Sequence, residues 1–263
     1  MRIMIGADPE LFVFQNNQPV SAAPWVPGTK EEPYKVQDGA VQLDGFAAEF
    51  NIEPVMTEDD FVNNINSVLW QLRRMLPDDA QLKAEPVVHF TQEYVDAQPD
   101  FVRQLGCSAD WNAYTGQTNP LPDGNVSFRT GAGHIHIGWT EDQDINDPVH
   151  MDSCRMLVKR LDASLGLASV VYDREGKHRR ELYGKAGCFR PKPYGVEYRV
   201  LSNFWIDQFK LQRYVYRTTM DTVNDLIEGG DKWKLPERVV ELAINKSDLE
   251  YAWKVLDERG ATL

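Results

Sequence analysis

Apolar and polar residues alternate with a period of two in several stretches, and that alternation predicts strands with one face in a core. Residues 3–14 read as a first strand or hairpin arm. Pro9 has no N–H to give a ladder, which puts this stretch at a sheet edge or a bulge. Residues 41–53 form a second strong strand region, ended by Pro54. Residues 83–90 predict a short strand, 125–139 a longer one running into an acidic loop, and 194–201 the last. A different period governs 57–76, where Phe61, Ile65, Val68, Leu69, Leu72 and Leu76 recur at helical spacing behind Thr57, a good N-cap. Asp147 and Pro148 make an N-cap and first-turn pair for a helix running to 165. From Trp205 onward the chain reads as helical, and Ser247-Asp248-Leu249-Glu250 has the capping-box pattern of a final helix.

Strands carry the polar chemistry and helices carry the bulk, with no internal repeat and no linker-like break. The expectation is an α+β fold with helices packed on one sheet face, one domain over 1–263 with 205–263 a mainly helical portion. With 263 residues, 42% of them hydrophobic, the chain can bury a full core. Two irregular stretches, 24–39 and 105–124, are rich in Pro, Gly, Asn and Asp, and ordered loops of that length tend to be functional.

A net charge of −12 argues against a nucleic-acid backbone or an anionic membrane as partner, because counterion release needs a basic surface. Cys107, Cys154 and Cys188 are odd in number, far apart and without a CxxC pair, which suits a reducing compartment. The first residues lack the apolar core of a signal peptide, and no apolar run approaches membrane-spanning length. A soluble, cytoplasmic protein is expected, with oligomeric state open.

Four of the alternating stretches put metal-binding or charged side chains at every second position: Asp8-Pro9-Glu10, Glu49-Phe50-Asn51-Ile52-Glu53, His134-Ile135-His136 and Glu197-Tyr198-Arg199. Residues two apart on a strand share a face, roughly 7 Å apart. Each stretch therefore aims carboxylates, imidazoles or a guanidinium one way and residues such as Phe50, Ile52, Ile135 and Val196 the other. Surface strands favour Thr, Lys and Ser; this set suits a cation-holding floor. Glu49 and Glu53 on one face are close enough to flank a metal, unless that face simply meets water. His134 and His136 follow Gly131-Ala132-Gly133, a glycine-rich approach that admits a ligand. Glu197 and Arg199 are equally compatible with an intrastrand ion pair. Arg179, Arg180, Lys185 and Arg190 surround Tyr183-Gly184-Lys185-Ala186-Gly187 in an otherwise acidic chain, which reads as a phosphate clamp or as a solvated basic loop. No Walker-type or GxGxxG motif is present. The 106–114 loop, polar and aromatic, is suited to close over a substrate.

In order, Gly6-Ala7-Asp8-Pro9-Glu10, Ala48 to Pro54, Gly133-His134-Ile135-His136-Ile137-Gly138 and Tyr194 to Arg199 resemble the carboxylate–amine ligases of the glutamine-synthetase-like superfamily, in particular the phage-associated COOH-NH2 ligase type 2 group. The resemblance spans roughly 3–205. It implies a curved antiparallel sheet whose concave face binds ATP and Mg²⁺ or Mn²⁺, and, for a phage-encoded chain, the host cytoplasm. It also implies that Glu10, Glu49 and Glu53 hold one metal, while Asp8, His134 and Glu197 hold another. His136, Arg199 and one or more of Arg179, Arg180 and Arg190 would contact phosphates or the transferring group, with Lys185 beside them. The implied activity is ATP-dependent amide formation from small-molecule or peptide carboxylate and amine substrates through an acyl phosphate. The family's first strand more often carries Glu-x-Glu, and here Asp8 stands in the first place. Two other readings stay open: a cupin-like non-haem metalloenzyme using His134, His136 and Glu141, and an interaction protein that keeps the shape without the chemistry.

Overall fold

In the computed structural model, residues 2–103, 109–120 and 127–261 are described. Cys107, part of the 105–124 loop and the start of the 125–139 strand lie outside them. Twelve strands are present among the described residues. They are β1 (Met4–Gln15), β2 (Gln18–Val20), β3 (Tyr34–Val36), β4 (Gly39–Asp44), β5 (Ala47–Ile52), β6 (Ala80–Lys83), β7 (Val87–His89), β8 (Trp111–Asn112), β9 (Phe128–Thr130), β10 (Gly133–Gly138), β11 (Cys188–Lys192) and β12 (Gly195–Tyr198). Ten of them join one antiparallel sheet in the order β3-β4-β5-β1-β10-β12-β11-β8, with β2 and β6 also on β1. β7 and β9 pair separately.

The longest strand is the hub. β1 pairs with β10 over Met4 to Pro9, with β5 at Glu10 and Leu11, and with β2 and β6 beyond. Pro9 therefore lies in the interior of the sheet, and the reason it is tolerated is local. Glu10 N–H donates to Ala132 O on the β10 side, so the neighbouring N–H that Pro9 lacks falls on the β5 side. There the pairing slips: five steps of β1, from Ile5 to Glu10, face six of its partner, from Val55 to Glu49. Of the two positions allowed to this proline, the bulge is the one adopted.

The 41–53 region is a hairpin rather than one strand, because Gly45-Phe46 makes a two-residue turn between Asp44 and Ala47, with Gly45 at φ 57°. Similarly 83–90 divides between β6 and β7, and 125–139 between β9 and β10. β11 is an addition that the alternation did not predict; it forms a hairpin with β12 through Pro193 and Tyr194.

Helices cover the apolar face. Thr57 caps α1 (Glu58–Arg73), whose side chains Phe61, Ile65, Val68 and Leu69 share one buried cluster with Phe50, Ile52, Ile135, Ile137 and Val196. Two short helices, α2 (Gln92–Asp96) and α3 (Asp100–Arg103), pack with Phe12, Phe46, Val88 and Phe90 in a second cluster. Phe12 shares its face with Asp8 and Glu10, so this cluster closes one end of the polar floor. α4 (Pro148–Leu161), capped by Asp147, lies on β11 and β12. It continues through a π-helical turn, Asp162–Gly166, into α5 (Leu167–Tyr172), and α6 (Lys177–Leu182) follows. α7 (Phe209–Ile227), α8 (Glu237–Lys246) and α9 (Leu249–Glu258) complete the chain and pack on α1, α4 and α5. The last cap is displaced by one from the sequence pattern. Asp248 accepts from Tyr251 N–H, while Ser247 takes the left-handed conformation that ends α8. The fold is α+β, as expected, with helices against the apolar side of a large antiparallel sheet. No described helix is long and apolar enough to cross a membrane.

Candidate functional site

The register assembles the polar floor. Asp8 stands opposite His134, His136 opposite Gly6 on one side and Glu197 on the other, and Glu197 opposite Arg190. Glu10 stands opposite Glu49, which stands opposite Gln42. Alternation sends all of these side chains to the side away from the helices. They line a cavity of about 1180 Å³. A second cavity, of about 70 Å³, shares Glu10, Asp44, His134 and Arg199 with it and adds Asp110, Arg129, Arg179, Phe46 and Phe128. The two meet above the centre of the sheet.

Among the described residues, one group of three donors suits a metal: single atoms of Asp8, His136 and Glu197 lie within 4.8 Å of one another. His136 Nε2 is 3.0 Å from Asp8 Oδ1. Asp8 Oδ1, His136 Nε2 and Glu197 Oε2 are buried and complete no hydrogen bond with the described residues; they meet their neighbours as charge contacts only. Their close partners are one another and Lys192, whose Nζ is 2.7 Å from Glu197 Oε2. Two carboxylate oxygens and an imidazole nitrogen suit a hard or borderline divalent ion. The other ring nitrogen of His136 shares a hydrogen bond with the Tyr194 hydroxyl, which fixes the ring, as the outer partners of metal-binding histidines do.

The resemblance gives the cation to His134 and phosphate contact to His136; the converging donors are those of His136. His134 Nδ1 lies 3.4 Å from Asp8, 3.5 Å from Glu197 and 3.3 Å from Arg199, between the acids and the guanidinium. Arg199 pairs with Glu197 and, at 3.3 Å, with Asp110. Arg190 and Lys192 approach Glu197 from β11, Lys192 at 2.7 Å. Lys192 was not singled out in the sequence, although Arg190-x-Lys192 has the same alternation as the other strands.

Electrostatics divides the floor. Burial works against the charge on Asp8, yet His136 and His134 outweigh it and hold Asp8 well below the usual carboxylate range. Glu197 is likewise buried, and Arg199 above all holds it low. Burial and Arg199 push His134 down to about 4, so it is neutral at pH 7. For His136 burial is outweighed by Asp8, and its pKa is raised. At the other end, burial and then Asp44 push Glu10 up to about 7. Burial, Asp8, Asp44 and Glu10 push Glu49 well above the carboxylate range, and Gln42 donates to it at 2.8 Å.

The remaining candidates separate. Glu53 stands just past β5, exposed at the rim of the larger cavity. Arg179 lines the small cavity, donates to Val200 O at 2.9 Å and is lowered to about 10 by burial. Arg180 points elsewhere. Its guanidinium is 3.6 Å from the Asp173 carboxylate and donates to Asp173 O and Ser247 Oγ, which ties α6 to the end of α8. Lys185 is exposed and lines neither cavity. Glu141, the third ligand of the cupin alternative, is exposed at the rim, and the three-donor group takes Glu197 in its place. Of the 106–114 loop, Asp110 reaches the site; residues 106–108 are outside the described part.

Residues 119–221 match the family model described as Phage phiEco32-like COOH.NH2 ligase-type 2. That is the group which the sequence resembles. The match covers less than half of the chain and includes His134, His136, Arg179, Arg190, Glu197 and Arg199; Asp8, Glu10, Glu49 and Glu53 lie ahead of it. By its description the family is one of carboxylate–amine ligases, which points to an enzyme. A search of curated proteins finds no match. Among solved structures, one described as "Crystal structure of novel glutamine synthase homolog" is similar at 10% identity and a TM-score of 0.44, over 98% of this chain and 64% of that one. The chain thus spans under two thirds of that structure's length.

Proposed function

We propose that this protein is an ATP-dependent carboxylate–amine ligase that forms an amide through an acyl phosphate. The observation that carries the reading is the convergence of Asp8, His136 and Glu197 with Arg190, Lys192 and Arg199 on one sheet face, where a large and a small cavity meet. A divalent ion held by Asp8, His136 and Glu197 would screen phosphate oxygens and polarise the transferring group. Arg199, Arg190 and Lys192 add fixed positive charge over the same oxygens. Arg179 and Arg199 draw the acid's carboxylate into the small cavity.

A carboxylate oxygen then attacks the γ-phosphorus as the bond to ADP breaks, giving an acyl phosphate. The amine nitrogen attacks that carbonyl, the carbon–oxygen bond to phosphate breaks, and the amine's proton passes to one of the carboxylates Glu10, Asp44 or Asp110 at the junction. Such chemistry asks the protein for position and counter-charge rather than a nucleophile, and no Ser or Cys nucleophile is needed at the floor. Cys154 and Cys188 are buried, their thiols pushed up to about 12 by burial.

The test is thermal unfolding with a non-hydrolysable ATP analogue, with and without Mn²⁺, followed by ADP release across a panel of acids and amines. The expected result is a midpoint raised most by nucleotide and metal together, with ADP formation dependent on a particular acid. The absence of any shift with both present would remove the reading.

A further inference from the structure

The polar floor is held from behind. Side chains alternate in direction along β12, so Glu197 and Arg199 face the cavities while Tyr198, between them, points into the helical layer. Tyr198 is fully buried, and its hydroxyl donates to Asp162 Oδ1 at 2.7 Å. The other carboxylate oxygen of Asp162 accepts from the Tyr114 hydroxyl at 2.9 Å and from Gly187 N–H at 2.6 Å. One buried carboxyl thus ties together three segments, each of which carries cavity residues. β12 brings Glu197 and Arg199, the 110–119 segment brings Asp110, and the chain after Gly187 enters β11 with Arg190 and Lys192. No step of the reaction uses Asp162 itself.

Two of these ties converge on Arg199, which lines both cavities. Tyr198 precedes it in the chain. Tyr114 belongs to the same short segment as Asp110, whose carboxylate is 3.3 Å from Arg199 Nε. That segment is closed by its own hydrogen bonds: Asn119 N–H donates to Asp110 O at 2.7 Å, and Tyr114 N–H to Asn112 Oδ1 at 2.9 Å. The Tyr114 ring and the Asp110 carboxylate therefore sit on one compact turn.

The neighbouring backbone is shaped around the Asp162 carboxyl. Asp162 opens the π-helical turn, a geometry that recurs at functional sites. Four residues on, a Cβ at Gly166 would meet Ile244 Cδ1 at 2.7 Å and Tyr198 Oη at 3.0 Å, so a bare backbone lets the hydroxyl reach the helix. On the other side Gly187, at φ 80°, admits the Tyr114 ring; a Cβ there would meet Tyr114 Cδ2 at 2.8 Å. All three donors are neutral, so the carboxyl supplies hydrogen bonds of defined direction rather than an ion pair.

Resting on the ligase reading above, we propose that Asp162 is a positioning residue: through Tyr198 and Tyr114 it fixes the direction in which Arg199 meets the phosphate chain. Tyr198 holds the strand from which the guanidinium extends, and Tyr114 holds the turn that carries its partner Asp110. A guanidinium already kept in its binding direction loses less freedom when an anion arrives, so the tie is expressed as affinity.

The experiment is calorimetric binding, on the full chain, of Mn²⁺ alone and of a non-hydrolysable ATP analogue with Mn²⁺. Tyr114→Phe deletes one hydroxyl and is expected to weaken the analogue about 2- to 12-fold, the range of one lost hydrogen bond, while Mn²⁺ alone binds as before. In an Asp110→Asn background the same substitution has no further effect, because the tie acts through Asp110. Asp162→Asn keeps near wild-type affinity, since its amide oxygen can face Gly187 and Tyr114 while the Tyr198 hydroxyl turns to accept. Asp162→Ala loses more affinity than Tyr114→Phe. If Tyr114→Phe binds the analogue as wild type does, or its loss persists in full in the Asp110→Asn background, the positioning role is refuted. Equal weakening of Mn²⁺ and analogue refutes it too, being the mark of a generally loosened fold. A wild-type protein that binds Mn²⁺ but no analogue overturns the ligase reading, and the positioning role with it.

Discussion

The two carboxylate groups of the floor share one sheet face and one cavity, yet they occupy opposite fields. Asp8 and Glu197 sit among His134, His136, Arg190, Lys192 and Arg199, and are held ionised. Glu10 and Glu49 sit beside Asp44 and each other, and are pushed toward protonation. The first group is balanced by side chains of the protein before any ion binds; the second lacks that balance. Stability in the absence of metal should therefore depend most on the Asp8–Glu197 end, while either end can gain from an added cation.

The sharpest way to break the comparison is at Glu197, which is 1% exposed and meets three cationic side chains. Glu197→Gln leaves buried positive charge uncompensated and is expected to cost about 3–5 kcal/mol, read as a fall in denaturation midpoint without metal. A variant as stable as wild type would show that the cations are solvated after all.

An intermediate effect is expected away from the floor. Asp162 is fully buried and accepts from Tyr198 and Tyr114 hydroxyls and from Gly187 N–H at 2.7, 2.9 and 2.6 Å. Burial outweighs those donors and pushes its pKa up to about 7. A carboxyl whose folded pKa exceeds its unfolded value favours the folded state at low pH, and that stability is lost as pH rises from about 4 to about 7. Comparing Asp162→Asn with wild type over this window isolates the residue from the floor. The wild-type decline should be steeper by about 2–4 kcal/mol; parallel profiles would contradict the assignment.

Glu49→Gln should show the smallest change in the metal-free protein, and in the opposite direction to Glu197→Gln. Removing one of two like charges placed directly opposite should raise stability by up to about 1 kcal/mol, and the hydrogen bond from Gln42 can persist. The stabilisation conferred by Mn²⁺ should shrink in the same variant. Both are read by thermal unfolding with and without the ion, and an unchanged Mn²⁺ response would place the cation dependence wholly at Asp8, His136 and Glu197.

Much of this floor was legible in the sequence because period-two alternation is itself a statement about faces. Asp8, Glu10, Glu49, His134, His136, Glu197 and Arg199 all project to the cavity side, as their spacing required. Spacing carries no information about which strand lies beside which, so it left His134 and His136 equivalent and the resemblance gave the cation to His134; Asp110 entered only as part of the 106–114 loop, and neither Asp44 nor Lys192 stood out. Charge type misled in the basic loop: Arg179 and Arg180 are adjacent in sequence but leave the helix in different directions, one to a cavity and one to Asp173. Hairpin turns were the other loss, since Gly45-Phe46 sits inside an alternating run that masks it.

The central place of β1 has a kinetic consequence. Its register with β10 joins residues near 6 to residues near 136, so in a nascent chain the β10 edge of its first half stays open after β2, β5 and β6 are available, until residues near 136 have been made. Sheets dominated by such distant partners form slowly, and an unpaired apolar strand invites association with other chains. Asp8, Pro9 and Glu10 interrupt the strand with two charges and a missing donor, the residue types that discourage edge-to-edge pairing. The side chains that shape the floor in the finished protein are thus also those that guard the waiting edge.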